Sequence, residues 1–230
     1  DTPVPHPDDK SIPKISRYAW GERDYHKIIK KKLKPLCKEI EKMGEGIKAR
    51  YYIDDGPVMD KASAVRSGIG WMGKNTNVIN PEFGSYFFIA TILLNTELEY
   101  DKPIEDMCKS CSMCISSCPT GAIYEEYKLD SNLCISYQTI ENRNEIPEEI
   151  DLNGWIFGCD ICQDVCPWNR FSKPNNEINF TPVPEILNLS SQEWEIMTEE
   201  SFQKIFKDSP LRRSKFKGIQ RNLKFITGTD

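Results

Sequence analysis

Apolar residues recur at helical spacing from Ile28 through Ile29, Leu33, Leu36 and Ile40, with lysines and glutamates filling the positions between. That period predicts an amphipathic helix with one face turned to a core. Asp24 stands at its start as a side-chain cap, and Gly44 and Gly46 end it near Met43. Pro35 lies inside the run. A proline there lacks a donor and crowds the preceding turn, so a kinked or split helix is expected. Ala49 to Ile53 reads as a strand, Met59 to Ser67 as a short helix, and the apolar run Tyr86 to Leu94 as a buried strand. A further helix is expected after Cys134, and amphipathic helical pieces without cysteine from about Ser191. The run from Tyr86 to Leu94 is the longest apolar stretch and falls well short of a bilayer span, so no membrane association is expected.

Composition narrows the class. The chain has 230 residues, 39% of them hydrophobic, which is long enough for one or two domains with real cores. A formal net charge of -5 argues against wholesale coating of nucleic acid. The average hides an asymmetry, because Lys204, Lys207, Arg212, Arg213, Lys215, Lys217, Arg221 and Lys224 face a single acid, Asp208, between Ser201 and Lys224. Such a cluster is either a phosphate-contacting face or a solvated helix surface. The first dozen residues are polar and Pro-rich without the apolar core of a leader, and a cytoplasmic protein is expected.

The cysteines carry the chemistry. Eight of the nine fall into two blocks, Cys108-x-x-Cys111-x-x-Cys114-x-x-x-Cys118-Pro119, and Cys134 followed by Cys159-x-x-Cys162-x-x-x-Cys166-Pro167. The first is the bacterial ferredoxin run, in which three thiolates take three corners of one cubane cluster and the fourth, before proline, ligates the other cluster. Two-residue spacers aim three sulfurs at one centre, and the three-residue spacer swings the next sulfur away. The spacing assigns Cys108, Cys111, Cys114 and Cys166 to a first [4Fe–4S] cluster, and Cys118, Cys134, Cys159 and Cys162 to a second. Structural zinc and disulfides are the competing readings. The CxxCxxCxxxCP spacing is not that of a zinc knuckle, and two ferredoxin runs in register are not a disulfide framework. Cys37, in the Lys-rich helical stretch, is expected to be a small core residue.

The segment from Tyr52 to Asn77, YIDDGPVMDKASAVRSGIGWMGKNTN, is dense in glycine and places Asp54 and Asp55 at the end of a predicted strand. Alpha/beta proteins often present reacting groups there. A carboxyl partly desolvated beside a cofactor becomes a proton donor at neutral pH. The alternative is that one aspartate caps a helix beginning at Pro57. Gly73-Lys74 is not a P-loop, because the upstream glycine is missing and Asn75 replaces the Ser/Thr. His26 is expected to be a structural hydrogen-bonder, and His6, in the leading coil, carries no inference. Tyr137 and the tryptophans are either core or stacking platforms.

Taken in order, WGERDYH, IDDGPVMDKA, SGIGWMGKNT, EFGSYFF, CKSCSMCISSCPTGAI, LCISYQTIEN and FGCDICQDVCPWN resemble the epoxyqueuosine reductases of the tRNA queuosine pathway, from about Ser16 to Asn222. The resemblance implies an oxidoreductase that uses cobalamin and two [4Fe–4S] clusters to reduce epoxyqueuosine to queuosine at the wobble position of a tRNA. It implies that Asp54 is the proton donor, that Ser136 and Asp160 lie near the cobalamin, and that the basic stretch containing Arg212, Arg213, Lys215, Lys217 and Arg221 meets RNA. Asp55 stands where many relatives have a small polar residue, so Asp54 against Asp55 stays open. Electrons are expected from a low-potential flavodoxin or ferredoxin, and the chain is expected to act as a monomer.

The implied fold class is α+β. An α/β cobalamin-binding core, only partly present, occupies residues 1–100, an inserted ferredoxin-like two-cluster domain residues 101–172, and a helical, basic segment residues 173–230. The family's N-terminal region, which completes the cobalamin pocket, precedes the start of this chain, so weaker cobalamin binding is expected. Many relatives also carry helical repeats after the corresponding region, whereas this chain stops at Asp230. Two other classes remain open: a cobalamin and iron–sulfur reductase of a small substrate, akin to the reductive dehalogenases, and a stand-alone two-cluster electron carrier.

Overall fold

Asp24 accepts the backbone N–H of His26 and starts helix α1, Tyr25–Lys42, as its capping pattern predicts. The computed structural model describes residues 5–187 and 189–228, so the first four residues of the polar leading stretch lie outside it. Helix α1 is not split. It runs through Pro35, whose position on the exposed side lets the strained turn open toward solvent. Ile28, Leu33 and Cys37 form its buried stripe, whereas Leu36 is exposed, which narrows the face expected from the spacing. Met43 closes the helix and Gly46 turns the chain with a positive φ of 79°.

Strand β1 is Lys14–Ile15, β2 Ala49–Tyr52, β3 Trp71–Met72, β4 Val78–Ile79, β5 Thr91–Leu94 and β6 Trp155–Phe157. They pair as β1 with β6 in parallel, β2 with β5 antiparallel and β3 with β4 antiparallel. Three small sheets result among the described residues rather than one broad one. The long buried strand expected from Tyr86 to Leu94 shrinks to β5, because only Thr91–Leu94 finds a partner in β2. Residues Tyr86 and Phe88 instead use their rings, against Arg17 and Tyr25 respectively.

The remaining helices are α2 Asp60–Arg66, α3 Met113–Ser116, α4 Ile135–Ile140, α5 Ile161–Asp164, α6 Pro184–Leu187, α7 Ser191–Glu195, α8 Glu199–Ile205 and α9 Lys215–Thr227. Helix α7 opens with a reciprocal capping box between Ser190 and Glu193. No helix among the described residues is long and apolar enough to cross a membrane.

The larger core joins distant parts of the chain. Ile15 and Trp20 meet Ile140, Ile156 and Phe157, and the C-terminal Trp194, Phe206, Leu211, Ile219 and Leu223 close over them. A second group, Ile135, Ile146, Ile150, Leu152 and Trp155, packs beneath α4 and touches Cys159. Burying these side chains supplies the driving force that fixes α4 and the Cys159 loop against β6. Gly158 sits between that strand and that loop with a φ of 73°, where an added Cβ would lie 2.5 Å from the Cβ of Ser16. Only glycine fits such an approach at a left-handed position.

Candidate functional site

Short helices α3 and α5 pack together and bring the two cysteine blocks face to face. Cys108, Cys111, Cys114 and Cys166 line one cavity with Lys74, Ile79, Met113 and Trp168. Cys166, the cysteine before Pro167, thus joins the trio from the other block. The Cys114 thiol is pushed up to about 11, first by burial and then by the sulfurs of Cys108, Cys166 and Cys111. On the other side, burial pushes the Cys162 thiol up to about 12, with Cys134, Cys114 and Cys118 acting in the same direction. Cys159 is raised by burial foremost, and Cys162 and Cys134 add to it. Two groups of partly buried, mutually repelling sulfurs need a cationic core to ionise, and iron in a cubane cluster provides one. Among the described residues no three metal-binding side chains converge on a point suited to a single ion. Cys37 is buried on α1 as a small core residue.

The glycine-rich segment wraps these cysteines. Trp71 Nε1 donates to Cys108 Sγ at 3.4 Å, Lys74 Nζ donates to the Lys109 carbonyl at 2.6 Å, and Asn75 Nδ2 donates to the Cys162 carbonyl at 3.2 Å. Lys74 is buried and also pairs with Glu126 at 2.7 Å. Sequence reasoning excluded a phosphate loop here but missed this task. The signal was available, since a loop crowded with N–H donors suits sulfur ligands as well as phosphate.

Asp54 and Asp55 part company. Asp54 is exposed, in the left-handed region with φ 55°, and its Oδ2 accepts the Tyr25 hydroxyl at 3.1 Å. Asp55 turns back to pair with Lys30 and accepts the Ile53 backbone N–H at 3.0 Å. The Lys30 contact, then the Ile53 bond, hold the Asp55 carboxyl below its ordinary value. Neither aspartate caps a helix at Pro57, because no helix begins there and α2 starts at Asp60. Lys61 lies within electrostatic reach of Asp54 on one side and of Cys162 and Cys134 on the other, and its Nζ donates to the Thr76 carbonyl at 2.8 Å.

Asp160 is buried at 1% exposure and fully engaged. It accepts bonds from the Ser16 hydroxyl, the Arg17 backbone N–H at 2.8 Å and Arg17 Nη1 at 3.2 Å. His6 Nε2 meets it at 2.9 Å, held edge-on between Trp20 and Trp155. His6 was silent in the sequence because its partners lie across the fold. His26 bonds Asp24 at 2.7 Å and stacks on Tyr25, the structural role expected of it. Ser136 is half-buried on α4 beside Cys134, and the neighbouring Tyr137 is exposed.

The basic stretch divides as well. Arg212, Lys215 and Lys217 are exposed. Arg213 forms a two-pronged pair with Glu141, at 2.9 and 2.8 Å, and remains exposed. Arg221 turns inward, donating to the carbonyls of Gln138, Asn142 and Asn144 at 2.7, 2.8 and 2.6 Å. Its guanidinium braces the end of α4.

A family model described as a 4Fe-4S double cluster binding domain matches residues 107–169, and one described as Epoxyqueuosine reductase QueG, DUF1730, matches residues 2–55. The chain is 48% identical over 216 residues to an epoxyqueuosine reductase of Cellulophaga algicola, covering 93% of this chain and 70% of that one. A solved epoxyqueuosine reductase carrying a tRNA-Tyr epoxyqueuosine-modified stem loop superposes with a TM-score of 0.88 at 31% identity, covering 100% of this chain and 61% of that chain. The Bacillus subtilis epoxyqueuosine reductase, with its catalytic aspartate loop swung out of the active site, superposes with a TM-score of 0.87 at 30% identity, again over 100% of this chain and 61% of that one.

Proposed function

This chain belongs to the epoxyqueuosine reductase family, and from that premise we propose that it reduces the epoxide of epoxyqueuosine at the tRNA wobble position, leaving queuosine. It is an oxidoreductase with a 4Fe–4S binding domain. The observation that carries the reading is the gathering of Cys108, Cys111, Cys114 and Cys166 around one cavity, with Asp54 and Lys61 on the side of Cys134 and Cys162.

Removing the epoxide oxygen as water consumes two electrons and two protons. The chemistry supplied by the bound groups is one-electron relay at the clusters and strongly reducing cobalt at cobalamin. The first cluster takes Cys108, Cys111, Cys114 and Cys166, and the second Cys118, Cys134, Cys159 and Cys162. For cobalamin, the residues present that would hold it are Asp54 and Lys61, which lie within electrostatic reach of each other and of Cys134 and Cys162, and the half-buried Ser136 and exposed Tyr137 that follow Cys134 on α4. Ser136 would contact the cofactor directly, while Asp160 would act through Ser16 and Arg17, whose hydrogen bonds it accepts.

Asp54 delivers one of the two protons that the departing oxygen takes up, and solvent supplies the other. Its exposed, left-handed loop suits a residue that must meet a large substrate, and the Bacillus subtilis relative bears its catalytic aspartate on a loop that moves. The ion pair of Asp55 with Lys30 supports Asp54 as the residue for that task. A well-placed general acid is worth on the order of 10²–10⁴-fold. The modified base leaves the anticodon stack to reach the site, and loop bases splay readily. Arg212, Arg213, Lys215 and Lys217 contact tRNA phosphates, with Arg221 supporting them from within. Electrons come from a flavodoxin or ferredoxin. Residues 1–100, 101–172 and 173–230 serve respectively as cofactor and catalytic core, electron relay and RNA-side segment, within a monomer.

The test is anaerobic reconstitution with iron, sulfide and cobalamin, followed by reaction with epoxyqueuosine-containing tRNA and mass analysis of the released nucleosides. Queuosine formation dependent on a low-potential reductant is expected. Cubane spectra without any turnover in the cobalamin-loaded protein would reduce this chain to an electron carrier.

A further inference from the structure

We propose that Trp71 raises the reduction potential of the first cluster by donating its indole N–H to the Cys108 sulfur. The proposal rests on the reading of Cys108, Cys111, Cys114 and Cys166 as one cluster's ligands. An indole nitrogen can only donate, so this contact always places positive hydrogen against sulfur. Trp71 is 2% exposed, which keeps water from replacing it, and Trp168 packs edge-on at 5.0 Å to hold the ring. The hairpin of β3 and β4 fixes the backbone beneath it.

Adding one electron makes a cluster more negative, and a hydrogen-bond donor on a ligand sulfur stabilises that form. Of the charges around Cys108, Asp106 disfavours added negative charge, and the Lys74 ammonium is engaged by Glu126 at 2.7 Å. Two N–H groups then point at the Cys108 sulfur, the Lys74 backbone amide and the Trp71 indole at 3.4 Å, and only the indole can be removed by substitution. From the same segment, Asn77 Nδ2 lies 4.0 Å from Cys162 Sγ, too far for a comparable effect on the second group. The electron concerned arrives singly from a low-potential flavodoxin or ferredoxin, and no bond forms or breaks. Trp71 is therefore a positioning residue for electron entry. It keeps the first cluster within reach of its donor.

The experiment is an EPR-monitored potentiometric titration of the anaerobically reconstituted chain and its Trp71→Phe variant, with the first cluster identified as the signal lost in Cys111→Ser. At fixed potential the reduced-to-oxidised ratio of that cluster is expected to fall roughly tenfold, the worth of about one hydrogen bond to a charged group, with the second cluster and the iron content unchanged. An unmoved midpoint, or equal shifts in both clusters, overturns the proposal. If the variant loses iron, wild-type protein labelled with indole-15N tryptophan decides: a 15N coupling to the reduced first cluster supports the contact, and its absence overturns it. Failure of the underlying cluster reading is separately visible as missing cubane signals in the wild type.

Discussion

Tyr25 donates its phenolic hydroxyl to the Asp54 carboxylate across 3.1 Å, joining the first turn of α1 to the loop after β2. Burial first, and then the charge of Asp54, push the Tyr25 phenol well above its ordinary value. It therefore stays protonated, and a donor, at neutral pH. Lys30, one turn further along α1, draws Asp55 away. One helix thus gives two adjacent carboxylates different partners.

Asp54→Asn is expected to lower turnover by roughly 10²–10⁴-fold with cluster absorbance intact, whereas Asp55→Asn changes it by less than about tenfold. Single-turnover assays on reconstituted protein measure both. Equal losses in the two variants would contradict the division of roles.

Tyr25→Phe removes the hydroxyl that orients Asp54 while keeping the ring stacked on Phe88 at 4.3 Å. Turnover should fall about tenfold with tRNA affinity unchanged. A matching loss of affinity would place Tyr25 in RNA binding instead.

Reconstituted protein should hold about eight irons per chain. Cys111→Ala and Cys166→Ala should each abolish the same EPR signal although they lie in different blocks, and Cys134→Ala should abolish the other. Iron analysis and EPR on the three variants decide the partition of ligands.

Charge removal in the C-terminal segment should separate two behaviours. Arg212→Ala and Lys217→Ala should each reduce the slope of log affinity for tRNA against log salt by about 1, through lost phosphate contacts. Arg221→Ala should instead destabilise the fold by at least about 2 kcal/mol, because the carbonyls it braces lose their donor. Salt-dependent binding curves and thermal melts distinguish the cases.

Glu177 pairs with Lys32 of α1 at 2.5 Å, and that contact, followed by its bond from Asn179, holds its carboxyl at about 2 against an ordinary 4.5. A carboxyl depressed in the folded state adds stability that is present above pH 4.5 and lost as pH falls toward 2. The stability difference between wild type and Glu177→Gln should shrink across that window in low-salt acid titrations. A difference that stays constant down to about pH 2.5 would assign the effect to something other than charge.

Much was legible in the sequence because it is local. The cap at Asp24, the stripe of Ile28 and Leu33, and the spacing of Cys108, Cys111 and Cys114 act within a few residues, where backbone geometry alone decides who faces whom. The ordered motifs from WGERDYH to GCDICQDVCPWN carried the family likeness for the same reason. Even there the limits showed. The apolar run from Tyr86 promised a strand of full length, yet a strand lasts only as long as its partner, and β2 ends at Tyr52.

What the tertiary structure alone decided depends on contacts between segments far apart in the chain. Asp160 is occupied because β1 pairs with β6 and carries Ser16 and Arg17 to it, and His6 arrives over 154 residues of sequence. Arg221 turns inward, unlike its exposed basic neighbours, because α9 packs on α4, and Trp71 reaches Cys108 across 37 residues of sequence. Residue type and spacing state which groups can bond. Which of them do is set by burial, since a polar group taken from water must find a partner wherever the packed core has brought one.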